Sequence, residues 1–462
     1  MSLVLGIDSS TQSTKALLVE AATGVVVAEQ RAPHPSGTSV DPTAWVEALH
    51  IATDGLLERA EAVAIGGQQH GMVALDAEGH VVRDALLWND TRSAQAARDL
   101  VEELGGPAEA ARRTGSVHVA SITSSKMRWM RDAEPENAAR TARVVLPHDY
   151  LSHELAVDKD SWFTDRGDAS GTGCFSPQRD AFDPELATMA IGHEVALATI
   201  APTPNAVMGR TGSGAVIAPG TGDNMAAALG LAMGPGDVSL SIGTSGVAAM
   251  VSDTAALDPS GLVTGFADAT GRWLPLACTI NAAKILDFGA RMLGVDHEGL
   301  SELALAAPPG ANGVVLLPYL DGERTPNRPD ATGVFRGITT TSTREDIARA
   351  CVEGLACSLA DAVGFLREAT GTPAERIVLI GGAARSVAVQ QVLPAVLGCD
   401  VTLPAPGEYV ALGAAAQAAW ALSGGDQPPV WTPQGTRSLT AEATPEVLDA
   451  YRELRDLTSD WH

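Results

Sequence analysis

The stretch Gly6-Ile-Asp-Ser-Ser-Thr-Gln-Ser-Thr-Lys15 stands near the start of the chain, between two short apolar segments. Leu3-Val-Leu-Gly-Ile7 leads into it and Ala16-Leu-Leu-Val19 follows it, and both segments are typical of β-strands. A further apolar run, Val25-Val-Val-Ala28, predicts a third strand. The chain therefore opens with a hairpin meander whose first turn is rich in hydroxyl groups.

This first turn has the composition of an anion site. Small residues let backbone amides point inward, and the hydroxyls of Thr11 and Ser13 add donors. Asp8 ends the first strand and faces the turn, where it either initiates the turn or holds Mg²⁺ through water. An ordinary hairpin turn has much the same composition, so both interpretations of this segment stay open.

A related pattern returns about halfway along the chain. Asp237–Ile242 predicts a strand, Gly243-Thr-Ser-Gly246 a tight turn, and Val247–Val251 the returning strand. A third element, Arg376-Ile-Val-Leu-Ile380, is a buried strand that leads into Gly381-Gly382 and a helix. Two halves that each begin with a strand, a hydroxyl-bearing turn and a strand indicate a duplicated α/β domain.

The length of 462 residues suits two domains of ordinary size. Gly, Pro and Met interrupt the helical pattern near Gly230–Gly236. We therefore predict a first domain over residues 1–232 and a second over 236–425. Residues 426–462 form a Pro-rich linker followed by a closing amphipathic helix over Pro445–Asp460.

Composition narrows the class of protein. The net charge of −25 argues against nucleic acid as a partner, and it obliges any ATP site to rely on local amides and Mg²⁺. The five cysteines are scattered without a CxxC pair, which indicates a reducing cytoplasm. Met1–Ile7 has no basic start of a signal peptide, and the longest apolar run, Val410–Leu422, is too short to span a bilayer. We expect a cytoplasmic protein without a membrane partner.

Several common enzyme motifs are missing from the sequence. None of the four lysines follows a glycine, which excludes a P-loop. The Gly-x-Gly run at Gly220-Thr-Gly-Asp-Asn-Met225 fails the dinucleotide pattern because it ends in Met. No GxSxG or HExxH occurs, so hydride transfer by that fold, P-loop chemistry and serine hydrolysis lose support.

Asp223 stands just before an Ala-rich helix in the run Gly220–Gly230. Asp is a favoured N-cap, since its carboxylate satisfies the first free amides of a helix. It could equally be a general base that accepts a hydroxyl proton during attack on a γ-phosphate. The two roles are compatible, and the local sequence favours neither.

Together these segments resemble the FGGY carbohydrate kinases. The resemblance rests on Gly6–Lys15, Gly220–Asn224, Gly243–Gly246 and Ile380–Ala384, and on Ser121–Met130, Gly333–Ile338 and Asp346–Glu353. Ala133 and Cys351 depart from the family's signatures. The resemblance implies two duplicated actin-like (ribonuclease-H-like) ATPase domains with an interdomain cleft, ATP and Mg²⁺ as cofactors, and a small sugar as substrate.

Four further stretches resemble the branch of the family that phosphorylates D-xylulose. They are Gly67-Gln-Gln-His-Gly71, Leu87–Arg92, His148–Leu151 and Leu317–Pro326. Glycerol kinases have an Arg-Glu pair where this chain has Gln69-His70, which disfavours glycerol.

The resemblance also implies roles for single residues. Asp223 would accept the substrate proton, and Asp8 would support Mg²⁺ and the reacting groups. The predicted sugar contacts are Gln69, His70, Trp88 and Asn224. The predicted nucleotide contacts are Thr11, Ser13, Lys15, Gly243, Thr244, Gly381, Gly382 and Ser386. Outside its motif, His70 would be interpreted as a packed, partly buried histidine.

Three alternatives stay open. Another kinase of the family, acting on ribulose, gluconate or a pentitol, would keep the catalytic residues and change only the sugar pocket. An actin-like or Hsp70-like protein would use the same fold for assembly or peptide binding. A sugar-binding regulator without catalysis is the third. Family analogy adds the expectation of a homodimer.

Overall fold

The structure is a computed structural model that describes residues 2–431 and 435–461. Packing divides the chain into two units, neither of which is continuous in sequence. The first unit comprises Met1–Met233, Asp253–Leu274 and Gly407–Thr432, and the second comprises Gly234–Ser252, Pro275–Pro406 and Pro433–His462.

The first unit is built on a mixed sheet whose centre is the strand Leu3–Ser9. This strand pairs antiparallel with Ser13–Glu20 and parallel with Ala62–Gly67. The strands follow the spatial order Gly209–Arg210, Val216–Ile217, Ala62–Gly67, Leu3–Ser9, Ser13–Glu20 and Val26–Pro33, and Thr221–Gly222 also pairs with Ala62–Gly67. The parallel pairing brings the ends of several strands to one edge, where the polar turns follow.

Helices and small strand pairs complete the first unit. Its helices are Thr43–Thr53, Ala94–Glu103, Pro107–Thr114, Thr123–Ala133, Pro135–Arg140, Pro147–Leu155, Arg166–Ala169, Pro184–Ile191, Asp223–Gly230 and Tyr409–Ser423, with 3₁₀ turns at Leu57–Arg59 and Ser170–Thr172. The small strand pairs are Ser39–Val40 with Ala85–Leu86, Val73–Leu75 with Arg143–Val145, Phe163–Thr164 with Thr199–Ile200, and Phe175–Ser176 with Ala181–Phe182. One core packs the sheet residues Ile7 and Ile65 against Trp45. A second core gathers around Met72, Met127 and Met130.

Glycines allow the last helix of the first unit to touch its neighbours backbone to backbone. A Cβ at Gly413 would lie 1.8 Å from the carbonyl oxygen of Ala226, and one at Gly6 would lie 1.9 Å from that of Ala411. Real Cβ atoms do not come this close to backbone atoms. The helices Asp223–Gly230 and Tyr409–Ser423 can therefore cross here only because glycine occupies these positions.

The second unit repeats the plan of the first sheet. The strand Asp237–Ile242 pairs antiparallel with Gly246–Met250 and parallel with Arg376–Ile380. The spatial order is Leu276–Thr279, Gly246–Met250, Asp237–Ile242, Arg376–Ile380, Val401–Leu403 and Arg437–Leu439, with a separate pair of Val315–Leu317 and Val334–Arg336. The helices are Ala283–Leu293, His297–Ala306, Arg344–Thr370, Val387–Leu397 and Pro445–Leu457, with 3₁₀ turns at Ala311–Gly313 and Gly382–Arg385.

Most of the predicted elements are confirmed. Both hairpins form, and the strand Arg376–Ile380 has the predicted bounds. The closing helix, predicted over Pro445–Asp460, ends at Leu457. The strand Arg437–Leu439 was not predicted. No helix among the described residues is long and apolar enough to cross a membrane.

Packing differs from the predicted continuous domains 1–232 and 236–425 at two segments. Asp253–Leu274 lies inside the predicted second domain, and Gly407–Thr432 begins inside it and continues into the predicted linker, but both pack with the first unit. The helix Tyr409–Ser423 does so because its glycine contacts fit the first sheet and the helix that starts at Asp223. The predicted linker over 426–436 includes residues 432–434, which lie outside the described residues.

The variant Gly413→Ala tests the helix crossing. We expect the thermal midpoint of unfolding to fall by about 6 °C or more, because backbone atoms must move to admit the methyl group. Gly212→Ala is the matched control, since no described atom lies within 4 Å of a Cβ built there. Equal thermal midpoints for the two variants, measured by calorimetry, would contradict this account of the packing.

Candidate active site

Three polar segments of the first unit follow strands that end at the same edge of its sheet. Asp8 pairs with Gly66 across the parallel ladder, and Thr221 pairs with Gly66 from the other side. The chain continues from these strands into Ser10–Gln12, Gln68–His70 and Asp223. Sequence-distant side chains are therefore gathered at one edge, as expected for the carboxyl ends of neighbouring parallel strands.

Asp8 is buried at the end of the first strand. Its Oδ1 accepts a short hydrogen bond from the hydroxyl of Ser10, and the ammonium of Lys15 lies 3.5 Å from its Oδ2. Loss of hydration raises the pKa of Asp8 above its ordinary value, while Ser10 and Lys15 oppose that rise. The carboxylate is held in position on one side and faces the polar edge of the sheet.

Asp223 is the first residue of the helix Asp223–Gly230, and Gly222 occupies the N-cap position. Its Oδ1 accepts hydrogen bonds from the backbone amide of Asn224 at 2.8 Å and from the Asn224 side-chain amide at 3.1 Å. Burial raises the pKa of Asp223 to about 7, and the nearby carboxylates of Asp8 and Asp168 contribute to the rise. Such a carboxyl can take up and release a proton near neutral pH.

Gln69 and Asn224 form a pair beside Asp223. The side-chain amide of Asn224 donates to Oε1 of Gln69 at 2.8 Å. The Nε2 atom of Gln69 is buried and has no hydrogen-bond partner among residues 2–431 and 435–461. A buried amide donor of this kind needs an acceptor, such as a hydroxyl oxygen of a ligand.

His70 has a positive φ of 67° and is buried. Its Nδ1 donates to the carbonyl oxygen of Gly171 at 2.8 Å, and Thr123 donates its hydroxyl to the His70 carbonyl at 3.2 Å. The ring of Phe266 packs on the imidazole with 5.3 Å between the centroids. The unusual backbone conformation and these contacts aim the imidazole in one direction, as expected for a functional position.

Trp88 links the predicted sugar and phosphate segments. Its indole N–H donates to the hydroxyl oxygen of Thr11 at 2.9 Å, and 46% of the side chain is exposed. The hydroxyl of Thr11 also lies 3.5 Å from Oε1 of Gln68. An exposed aromatic ring fixed by one hydrogen bond offers an apolar face to a ligand at this edge.

The other residues of the first turn have mainly structural partners. Lys15 makes its shortest ion pair with Glu408, at 2.5 Å. Ser13 is buried, and its carbonyl accepts from the amide of Ser10 at 3.1 Å. The predicted role of both residues in nucleotide binding stays a prediction.

The second unit has its own polar edge. Gly243–Ser245 form an exposed turn after the strand Asp237–Ile242, and the exposed pair Gly381-Gly382 follows the neighbouring parallel strand. Gly381 has a φ of 95°, and a Cβ there would lie 2.6 Å from the carbonyl oxygen of Ile242. The two predicted nucleotide turns thus lie side by side within this unit, with Thr244 in the first of them.

Ser386 already has a structural role. It is the N-cap residue of the helix Val387–Leu397 and accepts from the amide of Val389 at 3.4 Å. Its hydroxyl also lies 3.2 Å from that of Ser301. Any contact of Ser386 with a nucleoside would compete with this capping bond.

The described residues contain no group of three or more His, Cys, Asp and Glu side chains that could hold a metal ion. A single carboxylate at the site fits a Mg²⁺ ion that arrives with a nucleotide, because such an ion keeps several waters and needs only one or two carboxylates. Asp8, held on one side by Ser10, is a carboxylate of that kind.

The sequence analysis missed several residues of the site. Phe266 and Gly171 contact His70, and Asp165 and Asp168 form a buried cluster beneath the turn that leads to Asp223. The third member of this cluster, His148, belongs to a stretch that the sequence analysis quoted but gave no role. The run of small residues that follows Asp165 was the available signal. It lies more than fifty residues from Asp223 in sequence, so spacing alone could not connect the two.

The fold and this site define a carbohydrate kinase. The model of the FGGY family of carbohydrate kinases, N-terminal domain, matches residues 3–230, and the model of the C-terminal domain matches residues 238–422. The chain belongs to the FGGY family of carbohydrate kinases and has its actin-like ATPase fold, as the sequence resemblance predicted.

Relatives within the family are similar over nearly their whole length. Xylulose kinase of Streptomyces coelicolor is 47% identical over 438 residues, covering 92% of this chain and 89% of that protein. Xylulose kinase of Streptomyces rubiginosus is 45% identical over 466 residues, covering 97% of this chain and 94% of that protein. The crystal structure of xylulose kinase from Bifidobacterium adolescentis has a TM-score of 0.93 at 45% identity, covering 98% of this chain and 99% of that one.

Proposed function

We propose that this carbohydrate kinase transfers the γ-phosphoryl group of ATP to the C5 hydroxyl of D-xylulose, with Asp223 as the general base. The hydroxyl oxygen forms a bond to the γ-phosphorus while the bond from that phosphorus to the β,γ-bridging oxygen breaks. The hydroxyl proton goes to Asp223 and is later released to water. The products are D-xylulose 5-phosphate and ADP.

The observation that supports this proposal most is the state of Asp223. Its pKa of about 7 allows the carboxylate to accept a proton near neutral pH, and Asn224 restrains it by two hydrogen bonds. A positioned base with a pKa close to the working pH is efficient in general base catalysis. The xylulose kinases at 45–47% identity support the choice of sugar.

Sugar recognition is proposed for Gln69, His70, Trp88 and Asn224. The buried, unpartnered amide Nε2 of Gln69 is available to a sugar hydroxyl, in the part of the chain that the structure describes. The apolar face of Trp88 suits the C–H groups of a sugar. A site with a buried donor rejects ligands that lack the matching acceptor, which gives it selectivity among polyols.

Nucleotide binding is proposed for two groups of residues, one in each unit. Thr11, Ser13 and Lys15 belong to the first unit, and Gly243, Thr244, Gly381, Gly382 and Ser386 belong to the second. In this proposal the predicted domain 1–232 carries the sugar site and the base, and 236–425 carries most of the ATP contacts. Mg²⁺ bound with ATP would offset charge on the transferred phosphoryl group, and Asp8 would hold it through water.

The variant Asp223→Asn tests the general base. We expect turnover to fall at least about 100-fold, because an amide cannot accept the proton, while the affinity for Mg·ATP stays within about twofold. Turnover is measured as ADP release, and ATP affinity by calorimetric titration. Asp180→Asn, an exposed residue of the same unit, is the control. Near-normal turnover of the Asp223 variant would refute the proposed base.

The pH profile tests the protonation state of Asp223 in the unmodified protein. Because the raised pKa is about 7, the carboxylate is ionised above that pH and protonated below it. We expect kcat/KM for the sugar to be constant above about pH 7.5 and to fall about tenfold per unit below pH 6.5. A profile without an acid limb down to pH 5 would contradict this prediction.

A substrate panel tests the choice of sugar. ADP release is compared across D-xylulose, D-ribulose, L-ribulose, gluconate, glycerol and pentitols, with a control that lacks sugar. We expect D-xylulose to have the highest kcat/KM, and Gln69→Leu to raise its KM about tenfold or more while the KM for ATP is unchanged. A higher kcat/KM for another sugar would refute D-xylulose as the substrate but would leave the proposed mechanism unaffected. Sugar-independent ATP hydrolysis would favour the actin-like alternative.

The cytoplasmic location and the homodimer stay predictions.

A further inference from the structure

A buried charged cluster lies beneath the candidate site of the first unit. His148, on the helix Pro147–Leu155, has no exposed surface. Its Nδ1 lies 2.6 Å from Oδ2 of Asp168, which is also fully buried. Its Nε2 lies 3.3 Å from Oδ1 of Asp149, without a hydrogen bond. Burying an imidazole between two carboxylates costs free energy unless both ring nitrogens are protonated and the ring is positively charged.

His148 packs against both backbone segments that carry the sugar and base residues, with its ring against Gly220 and its Cβ and backbone against Gly67. A Cβ at Gly220 would lie 2.6 Å from Cδ2 of His148, and one at Gly67 would lie 2.7 Å from its Cβ. Gly67 precedes Gln69 by two residues, and Gly220 precedes Asp223 by three. Movement of the ring would therefore displace the segment at Gly220, and movement of the His148 backbone would displace the segment at Gly67.

Asp165 makes a second connection from the same cluster to the same turn. Its Oδ2 accepts the hydroxyl hydrogen of Thr221 at 2.7 Å, and its carboxylate caps the amides of Gly167 and Asp168 at 2.8 Å each. The short helix Arg166–Ala169 thus carries Asp168 and is tied to Thr221, two residues before Asp223. The amide of Gln417 also holds this turn by donating to the Gly220 carbonyl at 3.1 Å.

The charges of the cluster reach the candidate base. The groups that face His148 are Asp149, Asp165 and Asp168, and together they raise the pKa of His148 to about 9 despite its burial. Burial raises the pKa of Asp149 to about 7 and that of Asp165 to about 6. The carboxylates that face Asp223 are Asp8 and Asp168.

We propose that the buried pair of His148 and Asp168 is a positioning element for Asp223, holding the turn Gly220–Gly222 and presenting the base with a fixed balance of charge. This inference rests on the proposed role of Asp223 as proton acceptor. His148 and Asp168 act through the turn and through the electric field, and neither contacts a reacting atom. The opposite charges of the two partners give the proposal a signature that a purely structural pair would lack.

The experiment compares His148→Gln, Asp168→Asn and the double variant with the unmodified protein. Asp168→Asn removes a negative charge that faces Asp223, so the acid limb of kcat/KM should move to lower pH. His148→Gln removes the positive charge that offsets the carboxylates, so the limb should move to higher pH. We expect shifts of roughly half a pH unit or more. The double variant, with a neutral pair of amides, should lie between them.

Each single variant should also lower kcat, by up to about 100-fold, while the KM for ATP is unchanged. His80→Gln is the matched control, because His80 lies in the same unit with a side chain 78% exposed, and its ion pair is with Asp76 at 3.6 Å. Unaltered pH limbs in both single variants, or shifts in the same direction, would overturn the proposal.

A measurement on the unmodified protein keeps the proposal testable if the variants do not fold. In ¹⁵N-labelled protein, one histidine should keep both ring nitrogens protonated at pH 8, well above the ordinary histidine pKa of about 6.5. If no histidine has both ring nitrogens protonated at pH 8, the proposed positive charge on His148 is refuted. Loss of turnover in Asp223→Asn without any limb shift in the two cluster variants would refute the positioning role alone. Normal turnover in Asp223→Asn would instead refute the base.

Discussion

Contact between backbones, without side chains between them, is the constraint on which the first unit depends. Asp8 is the penultimate residue of the strand Leu3–Ser9, and Asp223 is the first residue of the helix Asp223–Gly230. The helix Tyr409–Ser423 touches both of these elements through glycine positions, with Gly413 against Ala226. Helices that meet at backbone distance have little freedom to slide, because every shift creates a clash. The first carboxylate and the candidate base are thereby set on one rigid frame.

The same close packing accounts for the electrostatics of the site. Asp8 is buried and Asp223 is partly buried, and loss of hydration raises the pKa of each. Two carboxylates near each other in such a region resist ionising together, which favours a base that is partly protonated near neutral pH. The buried pair of His148 and Asp168 adds an opposite charge to this balance. Fixed charges in a medium of low dielectric act strongly on chemistry that develops charge.

The second unit differs in the way it carries its polar edge. Gly243–Ser245 and Gly381-Gly382 are exposed, and Gly381 has a φ of 95° that favours glycine. Exposed amides in a turn can bind an anion without a buried charge, which suits a protein with a net charge of −25. The two units therefore share one sheet plan, but the first has buried carboxylates at its polar edge and the second has exposed glycine-containing turns.

Local patterns made much of this molecule predictable. Strands such as Leu3–Ser9 and Arg376–Ile380 were readable because apolar runs bounded by glycines and hydroxyls specify strand and turn over a few residues. The segments at Asp8, Gln69 and Asp223 were predicted to belong to one site because their motifs resemble those of a known family. The structure brings these segments to one edge of the sheet.

Long-range contacts set the limit of that prediction. Phe266 reaches His70, and Asp165 reaches Thr221, across separations that no periodicity encodes. The assignment of Tyr409–Ser423 to the first unit likewise depends on the backbone against which its glycine packs. By itself, then, the sequence determined the local elements, the duplicated plan and the family, because these depend on short patterns. Only the tertiary structure decided which buried groups surround Asp223, because burial and charge depend on neighbours that packing brings together.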